Sequence, residues 1–96
     1  VSLHRRAAKR DANEAALVEQ LQAAGCYVNQ ISSTGVPDLL CTHPNGKYFC
    51  VEVKARGGKL TDGQKEFMAK ARQRDALAFV CQTSDDVRLA LSVVSE

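Results

Sequence analysis

The chain has no tryptophan and only five aromatic residues, Tyr27, Tyr48, Phe49, Phe67 and Phe79. Proteins that hold unpaired bases by stacking need a series of exposed aromatic platforms, and so few aromatics, most of them wanted for a core, cannot supply one. Long apolar runs are absent too. The longest, "ALAFVC" at 76–81, is far short of the roughly 20 residues that cross a bilayer. The opening "VSLHRRAAKRD" has no apolar export segment. Close cysteine pairs are also missing: Cys26, Cys41, Cys50 and Cys81 lack the spacing of a zinc knuckle, and each lies in or beside an apolar stretch. They are expected to be buried free thiols, as suits a reducing, cytoplasmic setting.

Ninety-six residues, 45% hydrophobic and 25% charged, fit a single domain over 1–96. Such a chain has a modest core, which self-association would enlarge. The net charge of +2 hides an uneven distribution. Residues 1–10 hold Arg5, Arg6, Lys9 and Arg10 with no acid, and residues 54–74 hold seven basic residues against Asp62 and Glu66. Residues 75–96 hold four acids and one base. This suits a face that binds a polyanion, and equally a set of solvated helix surfaces.

Periodicity predicts the order helix, three strands, helix, strand, helix. Leu17, Val18, Leu21 and Ala24 recur at helical spacing over 11–24, with Asp11 as N-cap, Glu14 as capping-box acid and Gly25 as the stop. "CYVNQI" reads as a strand. Two further strands, 38–42 and 47–54, are joined through "HPNG". Thr61 caps a helix to about Arg74, with Gln64 in the capping-box position, and "LAFVCQ" is a strand. A last helix opens at Thr83 or Ser84, with Val87, Ala90, Leu91 and Val94 as its stripe. A hairpin followed by a helix and one more strand predicts an α/β fold with a mixed sheet flanked by helices.

The hairpin carries the chemistry. If Pro44, Asn45 and Gly46 form a three-residue loop, His43 closes against Lys47 and Glu52 comes to face Asp38. Lys54 then shares their face, while Leu39, Cys41, Phe49, Val51 and Val53 form an apolar set on the other. A two-residue Asn45-Gly46 turn would separate the two acids. Adjacent carboxylates repel unless a cation joins them, and Mg²⁺ is commonly held by one or two carboxylates, waters and phosphate oxygens. A surface cluster in which Lys54 neutralises one acid is the plainer alternative. Glu14 and Gln64 both project from the buried stripes of their helices towards this sheet, and for each a capping role competes with a role in the site.

"DANEAALVEQLQAAG", "GVPDLL" and "VEVKARGGKLTDGQKEF" together resemble the VRR-NUC domain, a branch of the PD-(D/E)xK nuclease superfamily, over about residues 11–82. The resemblance implies a restriction-endonuclease-like fold and a site that uses Mg²⁺ or Mn²⁺. It implies Asp38, Glu52 and the Val53 carbonyl as metal ligands, with Glu14 assisting the metal or its water. Lys54 would activate the attacking water or stabilise the developing charge, and Gln64 would position either of them. Family members are structure-selective DNA nucleases, and small stand-alone forms from bacteria and phages look like homodimeric Holliday junction resolvases. The resemblance therefore implies DNA, branched in preference, as partner. Arg5, Arg6, Lys9, Arg10, Arg56, Lys59 and Lys65 are the expected phosphate contacts. A flap or nicking nuclease and a non-catalytic DNA-binding module are the alternatives.

Overall fold

A computed structural model describes residues 10–96. The elements follow the expected order: α1 (Glu14–Ala23), β1 (Tyr27–Gln30), β2 (Leu39–Thr42), β3 (Tyr48–Val53), α2 (Asp62–Gln73), β4 (Ala78–Cys81) and α3 (Ser84–Val94). The strands make one mixed sheet in the order β1-β2-β3-β4, antiparallel except where β4 pairs parallel to β3. Among the described residues no helix is long and apolar enough to cross a membrane.

The turn has three residues. His43 donates its N–H to the Lys47 carbonyl at 2.8 Å, Gly46 donates back to His43 at 2.8 Å, and Gly46 takes φ +91°. This sets the register Thr42↔Tyr48, Cys41↔Phe49, Leu40↔Cys50 and Leu39↔Val51. Period-two alternation then sends Leu39, Cys41, Phe49, Val51 and Val53 to one face, where all are buried. Leu17 and Leu21 of α1 and Val87, Ala90 and Val94 of α3 close over them. The opposite face receives α2, whose Met68 is buried, and leaves Tyr27, Leu40 and Tyr48 exposed.

All four cysteines are free. Burial pushes the Cys41 and Cys81 thiols up to about 12, so they act as core hydrophobes and not as nucleophiles.

The start of α1 differs from expectation. Asp11 is not its cap: the helix begins after Asn13, and no side chain caps it. The Asn13 amide instead donates to the carbonyls of Lys54 at 3.0 Å and Gln82 at 2.8 Å, fastening the helix start to the ends of β3 and β4. The helix also stops one residue early, which leaves Ala24 exposed. Gly25 does end it, at φ +92°, and a Cβ there would lie 2.8 Å from Cγ of Pro44 in the hairpin turn. The other two helices begin with complete capping boxes, Thr61 with Gln64 and Thr83 with Asp86.

Candidate active site

The site forms where the pairing of β2 with β3 runs out. The ladder ends at Leu39↔Val51; carried on past it, the same register would bring Asp38 opposite Glu52 and Pro37 opposite Val53, and the two carboxyls do act on each other. Opposed pairs in an antiparallel ladder alternate between hydrogen-bonded and not. The bond from His43 to Lys47 makes the odd-numbered pairs the bonded ones, and in that series the position due to face Val53 is Pro37. Proline has no N–H to donate, so the ladder offers no donor to the Val53 carbonyl. The Val53 N–H goes to Oδ2 of Asp38 at 2.8 Å. Pro37 and Asp38 therefore both end the ladder and fix the aspartate on a backbone donor.

Glu52 is only 2% exposed. Its Oε2 accepts from Nε2 of Gln64 at 3.1 Å and lies 3.6 Å from Nζ of Lys54. Burial, and then Asp38 beside it, push its carboxyl up to about 8, with Lys54 pulling only partly against them. Burial and a neighbouring carboxylate thus outweigh the one ammonium beside it.

Gln64 serves both of its competing expectations at once. Its Oε1 accepts from the Thr61 N–H at 2.9 Å as half of the capping box, while its Nε2 reaches Glu52. A primary amide has an acceptor and two donors, so a cap made through oxygen leaves the nitrogen free for the site.

Glu14 arrives from α1, 3% exposed. Its Oε2 accepts from Nη1 of Arg10 and from Nε2 of Gln30, both at 2.9 Å. Burial raises its pKa, Arg10 and Gln30 oppose that, and the charge of Asp38 adds to it. Glu14 and Gln64 stand in the first turns of α1 and α2, so two helix N-termini, which favour negative charge, border the carboxylates.

Within this cluster the hydrogen bonds fall on one oxygen of each acid: Oε2 of Glu14, Oδ2 of Asp38 and Oε2 of Glu52. Among the described residues no N–H group donates to the second oxygen of any of the three, although the carboxyls of Glu52 and Asp38 interact with each other. Carboxylate oxygens and a backbone carbonyl are the ligands of a hard divalent cation, and the residues present fit one. Among the described residues no three acidic, histidine or cysteine side chains converge enough to cage an ion unaided. Two carboxylates completed by water and substrate oxygens match the habit of Mg²⁺.

The expected DNA contacts divide. Arg56, Lys59 and Lys65 are exposed on the connection after β3 and the start of α2. Arg10 is not a free surface cation; it is held inside the site. Arg5, Arg6 and Lys9 lie outside the described residues. Gln30 and Pro37 were not singled out from the sequence, although each left a signal. Gln30 pairs with Leu39 and so is a polar residue at a strand position facing the apolar side, while Pro37 falls where a ladder N–H is due.

The VRR-NUC domain family model matches residues 4–85, and the chain belongs to that family of nuclease-type domains. A solved structure titled "VRR_NUC domain" is similar at 28% identity and a TM-score of 0.71, with 82% of this chain and 89% of that chain covered. No curated protein sequence matches it.

Proposed function

We propose that the chain is a metal-dependent, structure-selective DNA endonuclease that hydrolyses phosphodiesters in branched DNA, with the four-way junction as preferred substrate and a homodimer as the working form. The observation that carries this is the meeting of Asp38, Glu52 and Lys54 at the end of one hairpin, in a chain of the VRR-NUC family. A Mg²⁺ or Mn²⁺ ion held by Asp38, Glu52 and the Val53 carbonyl would polarise a phosphodiester and acidify a water.

The protein's own groups supply the rest. The Val53 N–H and the Gln64 amide hold the two acids in fixed orientations, so little reorganisation is left for the moment of reaction. The Lys54 ammonium lies against Glu52, within reach of a water or of charge gathering on phosphate oxygens. Glu14 borders the same acids and would assist at the water. Arg56, Lys59 and Lys65, with Arg5, Arg6 and Lys9, would hold the backbone without reading sequence.

The described residues form one such site, and paired cuts across a junction call for two copies about a twofold axis. The test is cleavage of a synthetic four-way junction beside linear and flap controls, with and without Mg²⁺, together with light scattering of the protein free and on DNA. Junction-selective, Mg²⁺-dependent cuts by a dimer support the proposal. Preference for flaps by a monomer would establish the flap or nicking reading, and binding without cleavage would establish a non-catalytic module.

A further inference from the structure

Arg10 makes no contact typical of a surface phosphate binder. Its Nη1 donates to Oε2 of Glu14 at 2.9 Å and lies 3.9 Å from Oδ1 of Asp38. Its Nη2 donates to the Ile31 carbonyl at 3.1 Å and to Oγ of Ser32 at 2.8 Å. Both arms of the guanidinium are thus engaged, one on two carboxylates and the other on the connection between β1 and β2, and the side chain is 23% exposed. An arginine fork makes such paired contacts where a lysine ammonium cannot.

We propose that Arg10 is a resident counter-cation of this site, holding Glu14 and Asp38 together in the metal-free protein and competing with a divalent cation for them. Two neighbouring acids need positive charge, and among the described residues Arg10 is the cation within 4 Å of both. Oδ1 of Asp38 faces the guanidinium, while Oδ2 is committed to the Val53 N–H. The oxygen open to a metal is therefore the one that Arg10 approaches. A fixed positive charge within about 4 Å of that oxygen repels a divalent ion twice as strongly as it attracts the single carboxylate charge. Loading the ion then requires the guanidinium to withdraw or the affinity to be low. The inference rests on the proposed metal site, and its test reads metal binding with no DNA and no turnover.

Mn²⁺ affinity would be measured by titration calorimetry on the protein, on Arg10→Gln, on Arg10→Lys and on Arg72→Gln as an exposed control. Arg10→Gln is expected to bind Mn²⁺ at least about tenfold more tightly. Arg10→Lys, which keeps the charge and loses the fork, should retain the lower affinity, and Arg72→Gln should match the parent protein. In EDTA, Arg10→Gln should melt below the parent, with the gap closing as Mn²⁺ is added. Unchanged or weaker Mn²⁺ binding in Arg10→Gln would overturn competition and leave Arg10 as a strut for Glu14. Equal tightening in Arg10→Lys would overturn the role of charge. If neither the parent nor Arg10→Gln binds Mn²⁺, the metal site itself fails, and the inference with it.

Discussion

The β2–β3 hairpin has two ends built to opposite rules. At its turn every local preference is met: Gly46 takes the positive φ, Oδ1 of Asn45 accepts from the Lys47 N–H at 2.9 Å, and Nδ2 of Asn45 ties the turn to the Val94 carbonyl at 3.0 Å. At its open end the rules are broken. The β2–β3 ladder stops at Leu39 and Val51, Glu52 is buried with Lys54 as its one salt-bridge partner among the described residues, and the Asp38 carboxyl stands beside it. One end is consistent at every level and contributes stability. At the other, burial and a second carboxylate oppose the ionisation of Glu52, a local conflict of the kind expected at functional sites.

Replacing Asp38 by Asn breaks this contrast hardest. The amide oxygen can still accept from the Val53 N–H, so the melting temperature should hardly move, while the negative charge is gone. Cleavage should fall at least about a thousandfold, which corresponds to about 4 kcal/mol of transition-state stabilisation, and junction binding in Ca²⁺ should persist. Near-normal cleavage by this variant would remove Asp38 from the reaction.

The turn end should behave in the opposite way. Gly25 sits at φ +92° with Pro44 at its back, so Gly25→Ala forces a side chain into the left-handed region and against the ring, at a cost of roughly 1 to 3 kcal/mol. The rate per folded molecule should be unchanged. Denaturant melts paired with cleavage assays separate the two quantities, and a specific loss of activity in a stable Gly25→Ala protein would show that the two ends are coupled.

These differences explain what could be read in advance. Turn chemistry is local, so the three-residue loop Pro44-Asn45-Gly46 and the register it sets are legible in the sequence, and that register directs Asp38 towards Glu52. The two capping boxes, at Thr61 and Thr83, were equally local. The start of α1 misled because the choice there is tertiary: the Asn13 amide satisfies carbonyls 41 and 69 positions away, and no short window of sequence contains those partners. Arg10 escaped for the same reason. Its charge suggested a solvated phosphate contact, and only the fold brings Ile31, Ser32 and Asp38 around it.

The electrostatic strain of the open end should show in the metal-free protein as a dependence on pH. Glu52 has a folded pKa of about 8, raised from its ordinary 4.5, and Glu14 is raised as well. A raised carboxyl binds its proton more tightly in the folded state. The stability it contributes is therefore complete below about pH 4.5 and is lost as the pH climbs to about 8. Melting in EDTA should fall across that window, and Mg²⁺ or Mn²⁺ should flatten the fall by compensating the ionised acids. A melting temperature that rises with pH in EDTA would contradict the burial and crowding of these groups.

The smallest expected effect is the most discriminating, because it sits on a residue that belongs to both kinds of structure. Thr61 and Gln64 are two halves of one capping box, yet only Gln64 also touches Glu52. Removing either half should cost about 1 kcal/mol of stability. Thr61→Ala should stop there, with the cleavage rate per folded molecule intact. Gln64→Ala should lose the same stability and, in addition, rate, because Glu52 loses the donor that orients it. The contrasting box at α3 supplies the control: Asp86 fills the same position as Gln64 but spends its Oδ2 on the N–H groups of Gln82 and Thr83. Asp86→Ala should therefore lower stability and leave the rate alone. If Gln64→Ala follows Thr61→Ala and Asp86→Ala in both measurements, its bond to Glu52 does not matter to the reaction, and the amide is a cap alone.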